Sequence, residues 1–457
     1  MNDSFDASLV ARYGESAPRY TSYPPATQFH GQFGPDDLGR TLAARPADRP
    51  WSLYVHVPFC ESVCYYCACN KTITKHHDRA GPYVARVARE LALLSPWLGA
   101  RPPLDQLHWG GGTPTFLSHD EMRALMCAIA ERFALRADDG GEYSIEIDPR
   151  HASDATLALL RSIGFNRLSL GVQDFDPAVQ LAINREQSFA LVRHVAQTAR
   201  SLGFRSLSVD LIYGLPRQTR DSFARTVDRL LEIAPDRVSL FNYAHLPERF
   251  KPQRRINAAE IPDGLTKIAI LSGTAEALAG AGYVYIGLDH FAKAGDELAQ
   301  AQRDRTLARN FQGYSTRGHL DVLGVGASAV SRIGAIYSQN AWDLKEYEAL
   351  IDQGTLPVRR GFELSADDEL RREVINDLLC HMQCDVAAVE ARYGLRFATY
   401  FASELARLEP FIHDGLVEMD SRRITVTARG QMLVRAVCAV FDRYLLIADR
   451  RRFSRVV

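Results

Sequence analysis

The chain has 457 residues, 46% hydrophobic and 24% charged, with 54 basic side chains against 55 acidic ones and a formal net charge of −1. Such a composition builds a globular protein with a large core, and its near-neutral charge excludes a general affinity for nucleic acid or an anionic membrane surface. The opening MNDSFDASLVARYGES has acidic residues and no apolar h-region, and no apolar run is long enough to span a bilayer, so the cytoplasm is the expected compartment.

Residues 1–47, with the Gly-, Pro- and aromatic-rich stretch APRYTSYPPATQFHGQFG, show little periodicity and are expected to form an arm laid over the rest. From Trp51 the rhythm changes. Strand-like runs (WSLYVHV, DQLHWG, YSIEID, RLSLGVQ, SLSVDLIYG, RVSLFNYAH) alternate with helix-length stretches, which predicts parallel βα units over 48–340. One face of these strands is apolar (Leu53/Val55/Val57, Ile145/Ile147, Leu168/Leu170/Val172, Leu207/Val209/Leu211). The other is small and polar (Tyr54/His56, Glu146/Asp148, Ser169/Gly171/Gln173, Ser206/Ser208/Asp210). Doubly wound strands are covered on both faces and should be apolar throughout. The pattern instead predicts an α/β fold built on a partial (β/α) barrel whose interior holds a polar ligand.

YVYIGLDHFA (283–292) is expected to be one further strand, and GYSTRGHLDVLGVGASAVSRIG a Gly-rich stretch closing the barrel. The remainder, 341–457, is expected to be a connector (YEALIDQGTLPVRRGF) and a mostly helical, winged-helix-like domain. That domain should begin at a capping box, Ser365-Ala-Asp-Asp368, and end in a hairpin and a last helix.

The motif that carries chemistry is Cys60-x3-Cys64-x2-Cys67-x-Cys69, on the loop after the first strand. Cys127, Cys380, Cys384 and Cys438 are scattered through apolar helical patterns, so the clustered thiols indicate metal or redox work in a reducing compartment rather than disulfides. Three thiolates can hold three irons of a [4Fe–4S] cubane and leave the fourth open to an N- and O-donor ligand. Cys69, as a fourth ligand, would close that position and is given a non-ligand role near the site. HWGGGTPT ends the second strand, where Gly110, Gly111 and Gly112 would let backbone N–H groups approach a ligand carboxylate. Glu146, Gln173 and Asp210 point inward from three strands and suit the amino and hydroxyl groups of a nucleoside, with a hydrogen-bond network inside the barrel as the alternative. Arg185 follows the fourth strand and could pair with one of these acids or with a carboxylate ligand. His56, His108, His245 and His290 near strand ends are expected to be hydrogen-bonded core residues rather than ligands, and Cys380, His381 and Cys384 to be helix packing.

The cysteine signature on a βα barrel resembles that of the radical S-adenosylmethionine (SAM) superfamily. The strings PRYTSYP, LYVHVPFC, CYYCACNK, LHWGGGTPT, GVQDF, NREQ, DLIYGLP, FNYAHLP, HFA, RNFQGY and the terminal FSRVV are, more narrowly, similar to the bacterial oxygen-independent coproporphyrinogen III oxidase family. The resemblance implies a [4Fe–4S] cluster on Cys60, Cys64 and Cys67, with SAM on its open iron. Tyr54, Gly111, Glu146 and Val330 fall at positions that contact this SAM. A second SAM site is matched by Tyr66, Gly112, Thr113, Gln173, Arg185, Asp210 and Ala244. Tyr66 stands where an aromatic, often Phe, is expected, and Val330 replaces another β-branched residue.

The implied reaction is the anaerobic oxidative decarboxylation of two propionates of coproporphyrinogen III to vinyl groups, giving protoporphyrinogen IX. A reduced donor of flavodoxin type would feed the cluster, and the protein would act as a monomer without nucleic acid or membrane. A haem-binding chaperone on the same fold is the alternative, disfavoured by the PRYTSYP arm and by Cys69 of CACN. A DNA-binding regulator is disfavoured by the few basic residues of QMLVRAVCAVFDRYL. The substrate carries four carboxylates, whereas the barrel interior is acidic. Arg19, Tyr20, Thr21, Ser22 and Tyr23, too polar for a core segment, are therefore expected to fold over the cavity and hold it, with Arg19, Tyr20 and Tyr23 touching substrate.

Overall fold

The computed structural model describes residues 9, 12–14 and 17–445; the rest of the arm's first sixteen residues and the FSRVV terminus lie outside the described residues. Six parallel strands carry the expected runs: β1 (Trp51–Val57), β2 (Pro103–Gly111), β3 (Glu142–Ile147), β4 (Arg167–Gln173), β5 (Ser206–Tyr213) and β6 (Arg237–Asn242). Each pairs in parallel with the next. The connecting helices are α1 (Ala80–Leu98), α2 (His119–Arg132), α3 (Asp154–Ser162), α4 (Phe189–Ser201) and α5 (Arg220–Ile233). Four of them start at a hydroxyl N-cap that satisfies an orphan N–H of the first turn: Ser118, Ser153, Ser188 and Thr219. The apolar strand face packs against these helices in the main core, where Leu53, Val55, Ile145, Leu170, Val209 and Leu211 are buried completely. The polar face is left to line the concave side.

The strand path among the described residues is open, which agrees with a partial barrel. The segment 283–292 departs from expectation. It is a hairpin, β7 (Tyr283–Gly287) and β8 (His290–Lys293), in which β8 pairs antiparallel with β6. The chain reverses at Leu288 and Asp289, both in the left-handed region (φ 40° and 68°), without the Asn-Gly pair that marks such turns. The Gly-rich stretch contains two further strands of this sheet, β9 (Asp321–Val325) and β10 (Val330–Ile333). Then come β11 (Ile336–Asn340) and β12 (Val358–Glu363). β9 pairs in parallel with β1, and β10 to β12 continue the sheet as an antiparallel meander. The expected boundary at 340/341 thus falls inside the sheet, which runs on to Glu363.

Glu90 of α1 is buried and fixes this edge. It accepts from Gly326 N–H (2.8 Å), Asn340 Nδ2 (2.7 Å) and the Tyr347 hydroxyl (2.7 Å), and burial pushes its carboxyl up to about 7. The helical section opens with α6 (Ala366–His381) at the expected capping box of Ser365 and Asp368. The hairpin is present as Val417–Met419 and Arg423–Val426, joined by Gln383–Asp385 in a three-stranded sheet. Cys380 and Cys384 are buried in the second apolar cluster, as expected of packing residues.

The arm is more built-in than its sequence suggests. Pro35–Ala44 is a helix whose Leu38 and Leu42 enter the main core, and His30 forms a bridge with Gly361 of β12. Ala17, Tyr20 and Tyr23 sink into the second cluster beside α6 and the C-terminal helix. The expectation that this stretch is too polar for a core is therefore overturned. Tyr20 and Tyr23 are 3% and 2% exposed, because the Tyr20 hydroxyl donates to Asp442 (3.2 Å) and the Tyr23 hydroxyl accepts from Arg443 N–H (3.3 Å).

Candidate active site

The carboxyl ends of the parallel strands converge on one cavity of about 320 Å³, lined by Cys60, Cys64, Cys67 and Cys69 of the loop after β1 together with residues of five strands, β2 to β6. The loop after β1 is held from several sides. Asn184 donates to the Val63 carbonyl (2.7 Å), Lys71 Nζ to the Cys67 carbonyl (3.0 Å), and Thr113 Oγ1 reaches Cys60 Sγ at 3.5 Å. Arg185 Nη1 lies 3.5 Å from Cys64 Sγ and 2.9 Å from Asp148 Oδ2, which also takes Arg150 Nη2 at 2.7 Å. The Cys69 thiol hydrogen-bonds Cys67, which draws the Cys67 thiol down and pushes that of Cys69 up.

The glycines of HWGGGTPT earn their place by close approach. A Cβ on Gly111, whose φ is 116°, would meet the His56 ring at 2.6 Å, and one on Gly112 would meet the Phe59 carbonyl oxygen at 2.6 Å. Their N–H groups, however, are engaged within the protein: Gly111 donates to Glu146 Oε2 (3.2 Å) and Gly112 to the Val57 carbonyl (2.8 Å).

Glu146 and Asp210 differ electrostatically. Burial raises the Glu146 carboxyl, but His108, the Gly111 N–H and His56 outweigh it and hold the group below its ordinary value. Asp210 is pushed up to about 6, by burial first and by Glu146, against hydrogen bonds from Ser239 and Ser169. The amide oxygen of Gln173 is buried, unpartnered and on the cavity wall, an acceptor with its donor still to come.

The expected site residues fall into two adjoining groups. Tyr54, Gly111, Glu146 and Val330 line a second cavity, of about 260 Å³, on the β1, β9 and β10 side. Tyr66, Gly112, Thr113, Gln173, Arg185 and Asp210 line the cysteine cavity. Cys69, Gly111 and Glu146 border both. Ala244 stands beside the second group, since Gln253 Nε2 donates to the carbonyls of both Ala244 (3.2 Å) and Tyr66 (3.0 Å). Gln253, Arg150 and Phe241 escaped the sequence reading. Phe241 was legible as a strand-end residue of FNYAH, whereas Gln253 sits in a short 3-10 turn with no local signal.

All four strand-end histidines are hydrogen-bonded within the protein. His56 Nε2 donates to the Asn70 carbonyl (3.0 Å) and its Nδ1 accepts from the Tyr54 hydroxyl (3.0 Å); His108 bonds Ser144 and Glu146, His245 the Tyr243 hydroxyl, and His290 the Leu288 carbonyl. Among the substrate candidates, Arg19 lies over the Phe241 ring (5.4 Å) at the cavity's edge, whereas Tyr20 and Tyr23 spend their hydroxyls on the C-terminal segment.

Comparison with known proteins matches residues 54–230 to the Radical SAM superfamily and residues 364–433 to the HemN C-terminal domain. The oxygen-independent coproporphyrinogen III oxidase of Pseudomonas aeruginosa is 53% identical over 454 residues, covering 99% of each chain. That of Escherichia coli is 47% identical over 458 residues, covering 99% of this chain and 98% of its own. The chain belongs to the oxygen-independent coproporphyrinogen III oxidase family. The solved structure described as coproporphyrinogen III oxidase (HemN) from Escherichia coli, a radical SAM enzyme, is 45% identical. It superposes with a TM-score of 0.91 over 96% of this chain and 99% of its own.

Family membership brings a [4Fe–4S] cluster and SAM as cofactors, and the residues present fit them. Among the described residues no three His, Cys, Asp or Glu side chains converge on a single metal ion. A cubane requires no such convergence, because each thiolate takes a different iron. Cys60, Cys64 and Cys67 border one cavity, and Gln173 presents an unpaired acceptor on its wall.

Proposed function

We propose that this chain catalyses the anaerobic oxidative decarboxylation of the ring A and ring B propionates of coproporphyrinogen III to vinyl groups, giving protoporphyrinogen IX. The observation that carries this reading is the cavity in which three loop thiols face Glu146, Gln173, Arg185 and Asp210, in a chain similar along its whole length to enzymes of that name. When bound, the cluster and SAM would supply the radical chemistry that removes a hydrogen from the propionate β-carbon, so that CO2 could leave with one electron passing to an external one-electron acceptor.

The chain's own residues orient and shield. Cys60, Cys64 and Cys67 hold the cluster, and Cys69 borders it without ligating. Tyr54, Gly111, Glu146 and Val330 hold the SAM that is cleaved, Glu146 as an ionised acceptor for its amino group. Tyr66, Gly112, Thr113, Gln173, Arg185, Asp210 and Ala244 hold a second SAM, Arg185 offering its guanidinium to a carboxylate and Asp210 accepting from an amine or hydroxyl. Two reactive propionates then have one SAM each. Arg19 reaches toward the substrate from the arm, and burial of Tyr20 and Tyr23 favours a structural role for them. The electron donor is a reduced flavodoxin-type protein. The enzyme works as a cytoplasmic monomer without nucleic acid or membrane; among the described residues no helix is long and apolar enough to cross one.

An anaerobic assay with reconstituted protein, reductant, SAM and coproporphyrinogen III, with products identified by mass, tests this. The expected result is loss of two CO2 per substrate with methionine and 5′-deoxyadenosine released. SAM cleavage or haem binding without vinyl product would sink the reading in favour of a haem-binding chaperone.

A further inference from the structure

Gln173, the last residue of β4, reaches the cavity wall through a distorted backbone. The pairing of β4 with β5 slips by one residue between Gly171 and Gln173, so that Gln173 stands opposite Leu211, a residue of the apolar face. It nevertheless lines the cysteine cavity, with its amide oxygen unpartnered. The cause is its φ of 71°. Because the Asp174 N–H donates to the Val172 carbonyl at 2.9 Å, Gln173 is the centre of a three-residue γ-turn of the rare, strained hand. Such a conformation persists only where its surroundings over-determine it.

The surroundings do so on both sides of the turn. Asp174, 0% exposed, accepts from the Asp176 N–H (2.8 Å) and the Thr226 hydroxyl (2.6 Å) on one carboxyl oxygen and from Gln218 Nε2 (2.6 Å) on the other. Gln180 Nε2 donates to the Asp174 carbonyl (2.8 Å), and Gln187 Nε2 to that of Val172 (2.6 Å). Gln218 is fixed in turn, since its Oε1 accepts from the Leu215 N–H (2.9 Å) and its Nε2 also donates to the Ile212 carbonyl (2.8 Å).

Neither Asp174 nor any of these three glutamines borders the cysteine cavity. All three donors to the Asp174 carboxyl group are neutral, and burial pushes it above its ordinary value despite them. Packing alone does not call for a buried carboxyl on neutral donors beside a strained turn. Aiming the Gln173 amide does.

We propose that Asp174 is a positioning residue: braced by Gln218 and Thr226, it keeps Gln173 in the left-handed turn that aims its amide oxygen into the cysteine cavity, where that oxygen accepts from an N–H or O–H group of the second SAM. The inference rests on the second SAM site proposed above. Asp174 acts through Gln173 and touches no ligand itself.

The test is equilibrium dialysis of reconstituted holoenzyme against radiolabelled SAM, which counts SAM bound per chain without turnover. Wild type is expected to hold two. Asp174→Asn keeps the acceptor for Asp176 and Thr226 but sets its own N–H₂ against Gln218, which cannot flip without losing Leu215 and Ile212. Affinity for one of the two SAM molecules is expected to fall about tenfold, the upper end for one neutral hydrogen bond. Cluster iron should stay at the wild-type level, as should the change in the cluster EPR signal on adding SAM, which reports SAM at the open iron. The melting temperature should fall as well, so a second background separates positioning from folding. Gln173→Gly enters the turn without strain; it should match or exceed the wild-type melting temperature and bind the second SAM weakly. In that background Asp174→Asn should still lower the melting temperature yet leave SAM binding unchanged. Thr226→Val, a milder change to the same brace, should reproduce the pattern at smaller amplitude and decides the matter where Asp174→Asn loses its cluster. Wild-type binding of both SAM molecules by Asp174→Asn, or by Thr226→Val in its place, overturns the inference. So does a further loss of SAM binding in the double variant, because Asp174 would then act by a route other than Gln173, and so does a wild type that binds a single SAM. Failure of wild-type protein to form vinyl product would count against the function, while the dialysis would still decide the role of Asp174.

Discussion

Arg185 Nη1 donates to Asp148 Oδ2 at 2.9 Å, and both side chains are only 7% exposed. The pair stands directly beside Cys64, so it ties the wall of the β3 and β4 ends to the cysteine loop. Burial raises the Asp148 carboxyl, but Arg185 and Arg150 overcome it and hold it at about 2. A carboxyl lowered from 3.8 contributes stability that is complete above pH 4 and is lost as the pH falls through 2. At 1.4 kcal/mol per pKa unit that contribution is roughly 2 kcal/mol. Asp148→Asn should cost about 3 kcal/mol in urea unfolding at pH 7, because two buried guanidinium groups lose their counter-charge. It should also lower retention of SAM. A variant within 0.5 kcal/mol, on the order of an ordinary surface change, would show that the pair does not hold the loop.

The two inward carboxyls should be separable by pH. Glu146 is held below its ordinary value and stays ionised throughout the neutral range, whereas Asp210, raised to about 6, takes up a proton as the solution is acidified. Equilibrium binding of SAM to reconstituted protein should therefore weaken as pH falls through 6. Asp210→Asn should remove that acid limb. Glu146→Gln should keep it but lower affinity about ten- to a hundredfold at pH 7.5. Wild-type affinity in Glu146→Gln would leave Glu146 as a brace for Gly111 and His108.

The four loop cysteines should divide three to one. Cys60→Ser, Cys64→Ser and Cys67→Ser are each expected to abolish the cubane, since each thiolate takes its own iron. Cys69→Ser should retain a cluster that binds SAM, because Cys69 borders both cavities as an exposed thiol hydrogen-bonded to Cys67. Iron and sulfide analysis with EPR reads all four. Loss of the cluster in the Cys69 variant would require a different ligand set.

The strand faces were legible in the sequence because a period of two, repeated in strand after strand, has one physical cause: helices cover one side and a ligand cavity occupies the other. Ser365 was legible because a capping box is local. The β7–β8 reversal was not, since Leu288 and Asp289 adopt a conformation that their side chains do not advertise. Nor was the meander of β9 to β12, whose glycines look like a loop until Gly324 is seen to pass within contact of Val330; a Cβ there would meet the Val330 carbonyl oxygen at 2.5 Å. The arm was misjudged for another reason. Tyr20 is polar enough for the surface until its hydroxyl meets Asp442, 422 residues later, and sequence pattern carries no trace of so distant a partner.

That misjudgement changes how the arm should be tested. Removing residues 1–35 looks from sequence like clearing a cover from the cavity. In the structure it would also strip Tyr20 and Tyr23 from the second apolar cluster and Phe33 from the main core. Loss of each large buried side chain costs about 3–5 kcal/mol. The truncation should therefore lower the melting temperature sharply and lose SAM binding together with decarboxylation. Arg19→Gln separates the two roles. Arg19 is not part of either cluster; it touches Asp289 and the Phe241 ring, at the boundary of the cavity. The variant should keep the wild-type melting temperature, cluster content and substrate-free SAM cleavage while decarboxylation falls at least tenfold, roughly the value of one charge-assisted hydrogen bond. Full decarboxylation by Arg19→Gln, measured by product mass at subsaturating coproporphyrinogen III, would confine the arm to folding.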